Sequence, residues 1–125
     1  MDEEFQTIAC KQLFANIITL AVLDACSKPV KRKKDNGVKI NVASDRSMDA
    51  ITFLMDNAQY YVEILNMDGV RFKKQLVKAM WDESENYFTK HITADQRRNF
   101  RFNLHQWQNN PIRRKYLKED EDEIS

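Results

Sequence analysis

Two glycines and two prolines are all that interrupt 125 residues, and no other feature of the sequence narrows the fold as sharply. A β sandwich or barrel needs a turn residue every few positions, whereas helices joined by short loops need few. With only Gly37 and Gly69 available, there is no room for a glycine-rich phosphate cradle, a P-loop or a G-x-S-x-G elbow, and no H-E-x-x-H occurs. An enzyme is therefore the weakest class. His91, His105, Cys10 and Cys26 are the dispersed groups that would have to converge to make one.

Apolar residues are 42% and charged residues 31% of the chain, enough to bury a core without reading as disordered. The length suits a single domain. From Glu3 to Cys26, Phe5, Ile8, Leu13, Ile17, Leu20 and Leu23 recur at helical steps and predict a long helix with a broad apolar face. Ser27-Lys28-Pro29 ends it. Asn36-Gly37, between Val30 and the alternating Val38-Lys39-Ile40-Asn41-Val42, suits a minor β-hairpin over residues 30–42, a solvated loop being the alternative.

Ser44 or Asp45 is placed to cap a helix carrying Met48, Ile51, Leu54 and Met55, with a break expected at Asp56-Asn57. A short helix with Tyr61, Val62 and Leu65 follows, and Asp68 is placed to cap another from Gly69 to about Trp81. Tyr87 and Phe88 suggest a further helix. Thr93-Ala94-Asp95-Gln96 has capping-box spacing and opens a last helix with Phe100, Leu104 and Trp107, stopped at Asn110-Pro111. The expectation is an all-α compact bundle of five or six helices, one domain over residues 1–118, with a disordered acidic tail over 119–125.

Tyr61 to Leu76, YVEILNMDGVRFKKQL, carries the most specific pattern. A helix-turn-helix places a small or branched residue in its first helix, an apolar residue in the turn, a cap, and two apolar anchors in its second helix. Val62, Met67, Asp68, Phe72 and Leu76 fill those places in order, and Asn66 stands where glycine is usual, which asparagine tolerates.

LFANIITLAVLDA, AITFL and YYVEILNMDGVRFKKQL, over about Leu13 to Leu76, together resemble a set of small helical proteins encoded by bacteriophages. Those chains begin with a leucine-tryptophan-type helix and later carry an aliphatic-leucine-aspartate-proline turn before a basic helix. Here Phe14, Phe53 and Gly69 stand where tryptophan, tryptophan and proline are more usual. The resemblance implies a viral origin and an all-helical fold, and brings no catalytic residues.

Charge divides the chain. Five of its 19 acids lie in residues 119–123, so the remainder carries 20 bases against 14 acids, a net of +6. Such a body suits duplex DNA without demanding it. Val70, Arg71, Lys73, Lys74 and Lys78 are the candidate contacts on the second helix of the unit, with Gly69 at its start. Arg97, Arg98 and Arg101, around Phe100 and Phe102, form a second basic-aromatic patch, and Lys31 to Lys34 a third. The bland alternative for each is a solvated face.

The competing expectation is a protein-binding module that modulates a host or phage complex, with Phe102 and Tyr116 as anchors among Trp81, Tyr87, Phe88 and Trp107. Core packing is the alternative for Trp107 and Phe100. No metal or cofactor is expected: Cys10 and Cys26 lie on the order of 24 Å apart along one helix, and no C-x-x-C occurs. Met1-Asp2-Glu3-Glu4 lacks the basic start of a signal peptide, and uninterrupted apolar runs are short, so a cytoplasmic protein, in the host cell if viral, is expected.

Overall fold

A computed structural model of the chain describes residues 3–82 and 88–109, with side chains from Ile8 onward. Helix α1 spans Glu3–Ala25, strands β1 (Val30–Lys33) and β2 (Lys39–Val42) follow, and α2 covers Asp45–Thr52. A π turn, Phe53–Asn57, leads directly into α3 (Ala58–Ile64); α4 (Gly69–Asp82) and α5 (Ala94–Asn109) complete the described residues. The architecture is mostly helical with a small hairpin.

Four helical bodies are present among the described residues, fewer than the five or six expected. The break anticipated at Asp56-Asn57 is a π turn, which widens the helix without ending it, so α2 and α3 run as one interrupted helix. The helix expected around Tyr87 and Phe88 is not seen in its described part: residues 88–91 form turns, while Tyr87 lies outside the described residues. Tyr116 and the acidic tail lie outside them as well.

The hairpin forms as anticipated, pairing Val30 with Val42 and Lys33 with Lys39. Its loop has three residues rather than two. Gly37 N–H donates to the Lys34 carbonyl at 2.9 Å and Lys34 N–H to the Val38 carbonyl at 2.8 Å, and Gly37 adopts φ +84°, where a side chain would be strained. An exposed ion pair, Arg32 to Asp45 at 3.0 Å, ties β1 to the start of α2.

Helix ends are set by the residues that chemistry favours there. Ser44, not Asp45, caps α2: its hydroxyl accepts from Ser47 N–H at 3.2 Å. The capping box of α5 is complete, with Gln96 N–H donating to Thr93 Oγ1 and Thr93 N–H to Gln96 Oε1. The C-terminus of α1 is closed from across the fold. Buried Asn103 of α5 donates from Nδ2 to the Ala25 and Ser27 carbonyls, both at 2.9 Å, and Asn99 donates to the Cys26 carbonyl at 3.2 Å.

Ile18, Val22 and Ala25 of α1 meet Ile51, Leu54, Val62, Leu76, Met80 and Phe100 in one core. Phe88 closes it edge-on against Phe72, with ring centroids 5.5 Å apart. This reverses the expected face of α1: Ile8, Leu13, Leu20 and Leu23 are exposed. Because α1 is apolar around its whole circumference, periodicity could not tell its buried side from its open one. Averaged over Ile8–Ala25 it is also long and apolar enough to cross a membrane, at a mean hydropathy of 1.5, which uninterrupted runs did not reveal.

Candidate nucleic-acid interface

The α3–α4 connection is built as a helix-turn-helix requires at its joint. Asn66 takes φ 62°, the left-handed conformation, and lets the chain reverse. Met67 N–H then reaches the Val62 carbonyl at 2.9 Å and Asn66 N–H the Glu63 carbonyl at 3.0 Å, the paired bonds of a Schellman stop. Asp68 Oδ1 accepts from the N–H groups of Val70 at 2.9 Å and Arg71 at 3.1 Å, starting α4 at once.

Gly69 is needed for closeness rather than flexibility. A Cβ there would lie 2.6 Å from Gln59 Cβ, so only glycine lets α4 begin against α3. It is buried and presents nothing to a ligand. Phe72 and Leu76 enter the core as anticipated, but Met67, expected to fill the turn, is exposed. The neighbouring Val62 and Leu65 take the apolar role on the inner side.

On the outer side of α4, Arg71, Lys74 and Lys78 are exposed at three- and four-residue steps and form one stripe. Val70 is exposed at its start. Lys73 departs from the expectation that it faces solvent. It is half-buried, and its Nζ donates to the Met55 carbonyl in the π turn at 3.1 Å.

The second basic patch divides between surface and structure. Arg97 is 5% exposed, so a phosphate contact through it is corrected: its guanidinium donates to the carbonyls of Ala79 and Thr89. Arg101, four residues on, donates to the Met80 carbonyl at 2.8 Å. Both arginines thus satisfy carbonyls in the last turn of α4, where the helix dipole also favours cations. Arg98 remains exposed, with only a long surface ion pair to Asp95.

What the sequence kept apart, the fold brings side by side. Met55, Lys73, Lys74, Lys78 and half-buried Trp107 line a groove of about 620 Å³. Val77 forms its far wall and is shared with a second groove, of about 470 Å³, lined by Trp81, Arg98, Arg101, Phe102 and His105. The outward faces of α4 and α5 therefore make one basic-aromatic surface. Phe102 belongs to it, as half-buried groove wall rather than a projecting anchor.

Trp81 and Trp107 take different roles. Trp107 packs against the core and donates from Nε1 to Thr52 Oγ1 at 2.8 Å. Trp81 is 64% exposed, beneath the Arg101 guanidinium at 5.4 Å from the ring. It was not singled out for contact from sequence, although its place three residues beyond Lys78 puts it near the same stripe.

The thiols do not meet: Cys10 is exposed, and Cys26 is buried. Burial pushes the Cys26 thiol up to about 12, against the opposing pull of Arg97. Among the described residues no group of three or more histidine, cysteine, aspartate or glutamate side chains is placed to hold a metal. Comparison with family models, curated proteins and solved structures finds no match for this chain.

Proposed function

We propose that the chain is a non-enzymatic accessory or regulatory protein, of the phage type its sequence resembles, that binds duplex DNA through α4. The observation that carries the reading is the tight α3–α4 joint, which leaves Arg71, Lys74 and Lys78 in one exposed stripe on the second helix. Arg98 extends the positive surface across α5. Phosphates meet lysine and arginine at such a face, while base edges meet the first turn of the inserted helix. Val70 offers no hydrogen bond to a base, so affinity is dominated by phosphate contact and sequence preference is weak.

The test is fluorescence anisotropy on duplex DNA across a salt series. Each lost phosphate contact lowers the log–log salt slope by about 0.9, so Lys74→Ala with Lys78→Ala should reduce it by roughly two. Wild-type protein that fails to bind at low salt refutes the reading. Exposed Trp81 favours a second reading, a protein partner docked on the α4–α5 face. Retention of one defined host protein after nuclease treatment, lost on Trp81→Ala and not on Lys78→Ala, would support it instead.

A further inference from the structure

We propose that the open side of α1 is a self-association surface, on which a second copy of this chain docks its own α1. The inference is independent of the DNA-binding reading, because it uses the opposite end of the sequence and none of the α4–α5 residues. Ala9, Leu13, Asn16, Leu20 and Leu23 are all exposed, and their steps of four, three, four and three residues are the seam of a helix pair. Leu13 is 58% and Leu20 61% exposed, values unusual for leucines one heptad apart on an ordered helix.

A partner that is itself a helix with the same spacing fits this pattern better than other occupants. Asn16, in the middle of the seam, is the polar interruption that fixes register and strand number in paired helices, at some expense of stability. A lipid core offers it nothing to bond. Insertion of α1 into a bilayer would also strip Ile18, Val22 and Ala25, all 0% exposed, from the core they build.

The area agrees with a reversible dimer. A 23-residue helix is about 35 Å long, and an open apolar stripe of that length amounts to roughly 500 Å², near the most that monomers usually leave bare. Two copies would hide roughly 1,000 Å², the lower limit for a specific interface. The same patch lies on both partners, so the pair closes by two-fold symmetry and does not grow into a filament.

Sedimentation equilibrium of the full chain over a range of micromolar concentrations decides the matter. A mass rising from 14.8 kDa toward twice that value is expected. Leu13→Glu with Leu20→Glu should hold the mass at the monomer value with unchanged helical circular dichroism, since both side chains already face outward. Asn16→Leu should shift the midpoint to at least tenfold lower concentration. A wild type that stays monomeric throughout overturns the proposal. So does a dimer indifferent to the paired glutamates, or binding of the wild-type monomer to phosphatidylcholine vesicles that those glutamates abolish.

Discussion

The Lys73 ammonium donates to the Met55 carbonyl at 3.1 Å, so a cation on α4 closes the π turn between α2 and α3. A π turn shifts the helical hydrogen-bond register and leaves carbonyls that need another donor. Lys73 supplies one, and in doing so leaves the stripe formed by its neighbours. Adjacent lysines on one helix thus have different duties: Lys73 supports the fold, Lys74 the surface.

Lys73→Ala should lower stability by about 1 kcal/mol, the usual net value of such a hydrogen bond, and leave the salt slope of DNA binding nearly unchanged. Lys74→Ala should do the converse, staying within about 0.5 kcal/mol in stability. Urea denaturation beside anisotropy checks both. Equal stability losses in the two variants would show that the bond across to Met55 contributes nothing.

The turn between α3 and α4 makes a sharper stereochemical prediction. At φ 62°, Asn66→Gly should be neutral or slightly stabilising, while Asn66→Val should cost about 1–2 kcal/mol, because β-branching resists the left-handed region. Gly69→Ala should also destabilise, since the added methyl meets Gln59 Cβ and backbone rather than a flexible side-chain end. Thermal melts of the three variants would rank them. A stable Asn66→Val would mean that the chain reverses another way.

Much of this was legible in the residues, and the parts that were not have a common cause. Asp68, Asn66 and the Thr93–Gln96 box act within a few residues of themselves, so their chemistry is visible in the linear chain. Lys73 and Arg97 have partners 18 residues away, and their burial depends on how α4 meets the π turn and α5. A sequence pattern that marks both as basic cannot say which charge points inward. The face of α1 was misread for a related reason: leucines on all sides give no preferred direction, and only the position of the partner helices selects Ile18 and Val22 over Leu13 and Leu20.

Asn103 joins two distant parts of the chain, and its chemistry admits no close substitute. Its Nδ2 serves the Ala25 and Ser27 carbonyls, while its Oδ1 is buried without a hydrogen-bond partner. Asn103→Ala should cost about 2–4 kcal/mol through the two stranded carbonyls and the space left behind. Asn103→Asp, identical in shape, should be at least as damaging, because an ionised carboxylate has no donor for those carbonyls. Retained stability in the aspartate variant would show that size alone matters there.

The two cysteines separate burial from exposure within one helix. Exposed Cys10 should react with a disulfide reagent in the native protein, whereas Cys26, held as a thiol by burial, should react only on unfolding. The pH dependence follows from the direction of the shift. The folded value of about 12 lies above the ordinary 9, so the folded state keeps its proton over an interval in which the unfolded chain loses it. The stability contributed by the buried thiol is therefore complete below pH 9 and declines as pH rises from there toward 12. Measured as the difference in unfolding free energy between wild type and Cys26→Ala, which cancels the titration of other groups, the advantage of the wild type should shrink across that interval. A difference independent of pH, or native-state labelling of both cysteines at equal rates, would place Cys26 outside the core.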